Sequence, residues 1–201
     1  MQEEFICSGS KNASHRLVLL HGWGADADDL IPFGRQLSIG LDISFELISL
    51  RAPYIHPQGI GRQWYGLNPP DWSQASLAVK ELELRLNKIG SSSIGLRKTI
   101  LLGFSQGGAM ALATGMYLPL AGLVVCSGYP HPGCEPQNQS PPIFLMHGQN
   151  DPVVPLEASE SIFNVFKSKN LEVELEIFEG GHEISMQMIN KIQSTIKKWL
   201  N

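Results

Sequence analysis

The sequence predicts an α/β fold in which a mostly parallel, twisted sheet carries helices on both faces. Short and nearly continuous apolar segments alternate with longer segments of helical period, which is typical of parallel strands buried on both faces. A length of 201 residues suits one domain over 1–201. A hydrophobic content of 43% with a net charge of −4 excludes disorder over most of the chain.

The predicted strands are the short apolar segments, and they cover 17–20, 43–50, 99–104, 120–126 and 143–146. A further strand at 172–177 alternates glutamate with valine, leucine and isoleucine. Charged side chains on an edge strand discourage pairing with a further strand, so we expect this strand at the margin of the sheet.

The predicted helices lie between the strands, near 27–38, 72–89, 106–117, 156–168 and 184–199. The helix near 72–89 has the clearest start signal. Asp71 precedes it and Gln74 follows three residues later, which is the pattern of a capping box.

The segment 51–70 has neither a helical nor a strand period. It carries four prolines, three glycines, and the aromatic residues Tyr54, Trp64 and Tyr65. A loop of this length inside a compact domain is usually functional. We therefore expect 51–70 to be an active-site loop that forms an apolar, acyl-accepting groove.

Charge and cysteine content narrow the cellular setting. A pI near 5.8 argues against a nucleic-acid partner. The first four residues are acidic where a signal peptide is basic, and no apolar stretch approaches the ~20 residues that span a bilayer. The chain has only three cysteines, an odd number, so no disulfide framework is implied. We expect a cytoplasmic protein without stable membrane insertion.

The strongest chemical signal is the sequence Gly103-Phe104-Ser105-Gln106-Gly107, which lies between a predicted strand and a predicted helix. This G-x-S-x-G pattern places a nucleophilic serine on a sharp strand-to-helix turn. Residues two positions before and after the serine must be small, because strand and helix approach each other there. Ser105 is therefore the candidate nucleophile.

A serine nucleophile needs a base and an acid that orients the base. On this kind of fold the chain order is Ser, acid, His. Asp151 follows the predicted strand 143–146, and His182 follows the predicted strand 172–177. Both positions lie beyond the carboxyl ends of strands, where open α/β sheets bind their ligands. We assign Asp151 as the acid and His182 as the base.

The oxyanion of an acyl-transfer reaction requires hydrogen-bond donors. The backbone N–H of Gln106, directly after the nucleophile and at a helix start, is one candidate. The loop His21-Gly22-Trp23-Gly24, which follows an early strand, supplies the second. We assign the second donor to the Trp23 N–H.

Taken together, these motifs resemble the phospholipase/carboxylesterase family, to which acyl-protein thioesterases belong. The resemblance includes His147-Gly148-x-x-Asp151 and Gly181-His182 and runs over essentially the whole chain. It implies an α/β-hydrolase fold without a large cap domain, no cofactor, no metal and frequent homodimers. The segment 61–65 resembles the bacterial carboxylesterase branch, where the corresponding loop borders the acyl groove, so Trp64 and Tyr65 are implied as substrate-binding residues.

Two positions depart from the pattern of that family. Ala25 stands where an aspartate often follows H-G-x-G, and Gly66 stands where thioesterases carry an aspartate. The resemblance implies a carboxylesterase-type serine hydrolase. Lysophospholipase and acyl-protein thioesterase activities stay open as alternatives, because oxygen esters and thioesters share one mechanism.

Function classes other than ester hydrolysis have weaker support. The glycines near Gly22 also match a dinucleotide fingerprint, but the next predicted strand ends in Ser49-Leu50-Arg51 without the required acidic residue. Cys126, His131 and Cys134 are three candidate zinc ligands without an evident fourth. A non-catalytic ligand-binding module of the same fold is a remote alternative, since all three triad candidates are present.

Overall fold

A seven-stranded sheet forms the centre of the molecule, which the computed structural model describes over residues 4–10, 12–41 and 43–200. Its strands have the order β1-β3-β2-β6-β7-β8-β9. Strand β1 is antiparallel to β3, and the other neighbouring pairs are parallel. The strands are β1 (Phe5–Gly9), β2 (His15–Leu20), β3 (Phe45–Leu50), β4 (Tyr54–Ile55), β5 (Arg62–Gln63), β6 (Thr99–Phe104), β7 (Gly122–Cys126), β8 (Ile143–Gly148) and β9 (Val173–Phe178), of which β4 and β5 form a separate hairpin.

Helices cover both faces of the sheet, as the alternation of segments predicts. They are α1 (Ile31–Ser38), α2 (Trp72–Gly90), α3 (Gln106–Gly115), α4 (Glu157–Ser168) and α5 (Ile189–Leu200), with short 3-10 helices at Leu96–Lys98 and Met186–Met188. Successive strand side chains point to opposite faces. Val18 and Leu20 therefore pack in one core with α2, α3 and α4, whereas Leu17 and Leu19 pack in the other with α1 and α5.

Two sequence predictions differ from the structure at the amino-terminal side. Strand β1 was not predicted, because its residues alternate between exposed and half-buried and lack an apolar run. Helix α1 begins at Ile31 rather than near residue 27, since a series of turns occupies 23–30. The expected marginal position of 172–177 is confirmed, because β9 is the last strand of the sheet.

The segment 51–70 is more ordered than its composition suggests. It contains the β4–β5 hairpin, in which Tyr54 pairs with Gln63. The predicted cap of α2 is confirmed, since the Asp71 side chain accepts a hydrogen bond from the Gln74 N–H at 2.8 Å. The Gln74 side chain, however, accepts from the Gly66 N–H at 2.6 Å, which ties the end of the segment to α2.

The carboxyl ends of β2, β6, β8 and β9 lie at one edge of the sheet, because these strands run parallel. The loops that follow them carry the residues singled out in the sequence: Trp23, Ser105, Asp151 and His182. Within the part of the chain that the structure describes, no helix has both the length and the apolarity that a bilayer-spanning segment needs.

Candidate active site

Ser105 occupies the sharp turn between β6 and α3, with φ of 54° and ψ of −119°. Few residues other than glycine adopt a positive φ, so the backbone at Ser105 is strained. A Cβ on Gly103 would overlap the Gly107 carbonyl, and a Cβ on Gly107 would overlap the Leu20 carbonyl. The two glycines therefore permit the close approach of strand and helix that the motif requires.

A line of hydrogen bonds connects Asp151, His182 and Ser105. The His182 Nδ1–H donates to Asp151 Oδ2 at 2.7 Å, and His182 Nε2 accepts from the Ser105 Oγ–H at 2.9 Å. The Phe104 ring lies against the imidazole, with 4.9 Å between ring centroids. This arrangement places His182 between a carboxylate and a hydroxyl, which is the geometry of a Ser-His-Asp triad.

The Asp151 carboxylate is fully buried and hydrogen-bonded through both oxygens. Its Oδ1 accepts from the Val153 and Val154 N–H groups, both at 2.9 Å. Burial acts to raise the pKa of the Asp151 carboxyl, but the hydrogen bonds from His182 and the two N–H groups outweigh it and lower the pKa. Asp151 is therefore ionised at neutral pH and fixes the orientation of His182.

The two backbone N–H groups proposed from the sequence as oxyanion donors belong to segments next to Ser105: Gln106 follows it directly, and a Cβ on Gly22, the residue before Trp23, would lie 3.5 Å from Ser105 Cβ. Gln106 is the first residue of α3, so its N–H has no acceptor within the helix. The Trp23 N–H belongs to the loop that follows β2. Neither N–H donates to an acceptor within residues 4–10, 12–41 and 43–200.

His21 stabilises the loop that carries Trp23. Its Nδ1–H donates to the Gly22 carbonyl at 2.8 Å, and its Nε2 accepts from the Ala52 N–H at 3.1 Å. Burial lowers the pKa of His21, which keeps the ring neutral and preserves both hydrogen bonds. His21 is therefore a buried packing residue rather than a second base.

The structure does not bring Trp64 and Tyr65 to a substrate surface, contrary to the sequence prediction. Their relative exposures are 1% and 0%. The Trp64 N–H donates to Gln106 Oε1 at 2.9 Å, and Gln106 Nε2–H donates to the Tyr65 carbonyl at 2.8 Å. The Trp64 indole N–H donates to the His21 carbonyl at 2.9 Å. The two aromatic residues pack against Gln106, and no residue of 51–70 lines the cavity described next.

The open space at the site lies beside His182. A cavity of about 620 Å³ is bounded by α1 and by residues 182–186. Its apolar lining includes Leu30, Pro32, Phe33, Phe104, Ile184 and Met186. The sequence analysis missed this surface, because Phe33 and Met186 are remote in the chain and read as ordinary helix residues. Their position after the H-G-x-G and Gly-His motifs was the signal available.

The residues considered as zinc ligands do not form a metal site. Among the residues that the structure describes, no group of three or more His, Cys, Asp or Glu is arranged to hold a metal ion. Cys126 is fully buried, which raises the pKa of its thiol to about 12. His131 Nε2 is instead hydrogen-bonded to the Tyr65 hydroxyl at 2.9 Å.

Comparisons with known proteins identify the family and the fold. The sequence model of the Phospholipase/Carboxylesterase family matches residues 1–200. The solved structure of esterase PE8 superposes with a TM-score of 0.85 at 28% identity, covering 96% of each chain. The central sheet, its helices and this superposition show the α/β-hydrolase fold.

Curated relatives carry esterase and thioesterase names. Carboxylesterase SOBER1 of Arabidopsis thaliana is 30% identical over 205 residues, which are 92% of this chain and 90% of that protein. Acyl-protein thioesterase 1 of Saccharomyces cerevisiae is 36% identical over 137 residues, 62% and 60% of the two chains. A probable carboxylesterase of Oryza sativa subsp. japonica is 30% identical over 142 residues, 66% of this chain, and the match spans about half (53%) of that protein.

Proposed function

Because the chain belongs to the phospholipase/carboxylesterase family, we propose that it hydrolyses carboxylic esters of small or acyl-chain substrates through an acyl-enzyme on Ser105. The observation that carries this proposal is the line of hydrogen bonds from Asp151 through His182 to Ser105, at 2.7 and 2.9 Å. The esterase and thioesterase names of the relatives support the same class of reaction. One sheet flanked by two cores supports a single catalytic domain over 1–201.

In the acylation step, Ser105 Oγ attacks the ester carbonyl carbon while His182 Nε2 takes the hydroxyl proton. Asp151 stabilises the imidazolium that forms. The negative charge on the carbonyl oxygen is held by the N–H groups of Trp23 and Gln106. Collapse of the tetrahedral intermediate breaks the bond to the leaving alcohol or thiol, which receives its proton from His182.

In the deacylation step, His182 takes a proton from water as the water oxygen attacks the acyl carbon. Collapse of the second tetrahedral intermediate breaks the bond to Ser105 Oγ, which regains its proton from His182. The carboxylic acid then leaves. Each step uses the same residues, so the mechanism applies equally to oxygen esters and thioesters.

The cavity beside His182 supports an acyl group as the part of the substrate that is recognised. Its volume of about 620 Å³ lies in the range of small-molecule sites, and its lining is mainly apolar. Each methylene that enters such a cavity stabilises the complex by up to about 0.8 kcal/mol. This observation favours esters with an extended acyl chain, which both carboxylesterases and thioesterases cleave.

Replacement of the nucleophile tests the proposal. We expect Ser105→Ala to lower kcat on p-nitrophenyl butyrate and laurate by about 10⁴- to 10⁶-fold, because triad members act as a unit. Ser161→Ala, an exposed serine of α4, is the matched control and should retain wild-type kcat. A Ser105→Ala protein with a tenth of the wild-type activity would rule out the acyl-enzyme assignment.

A further inference from the structure

We propose that residues 61–65, which include β5, position both oxyanion donors, a role that rests on the proposed esterase function. The donors belong to separate elements: the Trp23 N–H to the loop after β2, and the Gln106 N–H to the start of α3. The segment 61–65 is hydrogen-bonded to both elements. It is therefore a positioning segment that acts through the donors without touching the substrate.

On the side of Trp23, the contacts are made by the backbone of the segment and by one side chain. The Gly24 N–H donates to the Arg62 carbonyl, and the Arg62 N–H donates to the Ala25 carbonyl, both at 2.8 Å. The Trp23 indole N–H donates to Gln63 Oε1 at 2.8 Å. The loop after β2 is thus paired with β5 directly beside the residue that carries the donor.

On the side of Gln106, the contacts run through the side-chain amide. Gln106 is fully buried, and its amide accepts from the Trp64 N–H at 2.9 Å and donates to the Tyr65 carbonyl at 2.8 Å. Both polar groups of the amide are thereby satisfied within the segment. The side chain of Gln106 fixes α3 to 61–65, while its backbone N–H stays available to an oxyanion.

The distance between the two donors matters because an oxyanion hole works only at hydrogen-bonding distances from the transition-state oxygen. A displacement of about 1 Å at a reacting group can cost about 10²-fold in rate. One short segment contacts the carriers of both donors, so any displacement of 61–65 changes their spacing. The cavity beside His182, where we place the acyl chain, is lined mainly by residues of α1 and of 182–186, and the donor loop contributes His21, Gly22 and Ala25 to it. We therefore expect a change in donor spacing to affect kcat more than KM.

Two glycines of the same hairpin provide a matched test. Gly59 and Gly61 both have left-handed φ values, 76° and 73°, so an alanine at either position imposes comparable backbone strain. A Cβ on Gly61 would overlap the Gly24 carbonyl in the loop of Trp23, whereas a Cβ on Gly59 meets nothing within 4 Å. The two alanine variants differ in whether they displace the donor loop.

We expect Gly61→Ala to lower kcat by about 10²-fold with KM within about twofold of wild type. Gly59→Ala should keep kcat within about twofold. The affinity for butylboronic acid, which forms a tetrahedral adduct on a catalytic serine, should fall in Gly61→Ala in parallel with kcat. Equal kcat and equal boronic acid affinity in the two folded variants would overturn the proposal.

Gln63→Met provides a second variant if Gly61→Ala does not fold. This substitution removes the acceptor of the Trp23 indole N–H. Trp23 is 38% exposed, so its indole N–H can bind water instead. We expect kcat to fall about five- to tenfold with unchanged KM and an unchanged melting temperature. Unchanged kcat in this folded variant would contradict the proposal. Absence of Ser105-dependent hydrolysis in the wild-type protein would instead reject the esterase function itself.

Discussion

The two sides of Ser105 are both rich in large apolar residues, but they differ in packing. On one side, Trp64 and Tyr65 are 1% and 0% exposed, and their backbone groups are hydrogen-bonded to Gln106. On the other side, the cavity beside α1 is open, and Met186 at its edge is 59% exposed. The first side can hold groups at fixed distances, whereas the second can admit a chain.

The difference in packing fits two opposite chemical requirements of the proposed reaction. Oxyanion donors must be fixed before the reaction begins, since reorganisation during the reaction costs free energy. An acyl site must exchange its contents with solvent in every turnover. Fixed oxyanion donors require close packing, and an acyl site requires open space. An aromatic loop near a nucleophile therefore does not by itself indicate a substrate groove.

The largest contrast between the two sides should appear in stability. We expect Trp64→Ala to lower the free energy of unfolding by about 3–5 kcal/mol, because it leaves a cavity in the core and removes a hydrogen bond to the His21 carbonyl. Met186→Ala should change it by less than about 0.5 kcal/mol, because the side chain is already exposed. Urea unfolding of both variants measures the difference.

Trp64→Phe is the milder control on the packed side. It keeps an aromatic ring at this position but loses the indole N–H, so its effect should fall between those of the two alanine variants. Equal stabilities of Trp64→Ala and Met186→Ala would show that the two sides do not differ in packing.

Acid should lower the stability of the packed side through protonation of His131. The Tyr65 hydroxyl is hydrogen-bonded to the Tyr129 hydroxyl at 2.7 Å and to His131 Nε2 at 2.9 Å. Burial lowers the pKa of His131 to about 4 and raises that of Tyr129 to about 12, so all three groups are neutral at pH 7. The Trp72 ring, at 5.4 Å from the His131 ring, completes this apolar environment.

The free energy of unfolding should fall as pH falls from about 6.5 to about 4, because His131 takes up a proton near pH 6.5 in the unfolded chain but not in the folded one. This residue's contribution is fully present above about pH 6.5. Its loss amounts to about 3 kcal/mol by pH 4. The measurement is the free energy of unfolding against pH for wild type and His131→Gln, whose difference cancels the other titrating groups. Parallel pH profiles would contradict the expectation.

The parts of the site that could be predicted from sequence are those attached to strand ends. Ser105 and Asp151 follow apolar segments, His182 follows the alternating segment 172–177, and the parallel topology brings the ends of these strands to one edge. The direction of Trp64 could not be predicted, because it depends on the amide of Gln106 and the carbonyl of His21, which tertiary contacts bring to it. An aromatic residue in a loop has the same pattern whether it faces a core or a ligand.

The cavity could not be predicted for a related reason. Phe33 and Met186 lie in different elements, and they meet only because α1 and the residues after β9 flank the same strand ends. Strand β1 was missed because its packing comes from one antiparallel neighbour, and its own sequence carries no buried run. In both cases the decisive contacts are between segments that are far apart in the chain.

The smallest expected effect is on substrate preference at the open side, where two carboxylates lie among the apolar residues that line the cavity. Asp29 and Glu183 line the cavity, and no lysine or arginine lies among the lining residues that the structure describes. A cationic acyl chain should therefore be favoured over a neutral one of the same shape by about 1 kcal/mol, or about fivefold in kcat/KM, at low ionic strength. The matched substrates are p-nitrophenyl esters of 4-(trimethylammonio)butanoic acid and of 5,5-dimethylhexanoic acid.

Asp29→Asn combined with Glu183→Gln should lower the ratio of kcat/KM for the cationic ester to that for the neutral ester about fivefold. High salt should lower the same ratio in the wild-type protein, because the Debye length falls to about 3 Å at 1 M. Gly61→Ala, on the packed side, should reduce kcat for both esters equally and leave the ratio unchanged. A ratio that changes with Gly61→Ala but not with the two carboxylates would place chain recognition on the packed side, which would reverse the assignment of the two sides of Ser105.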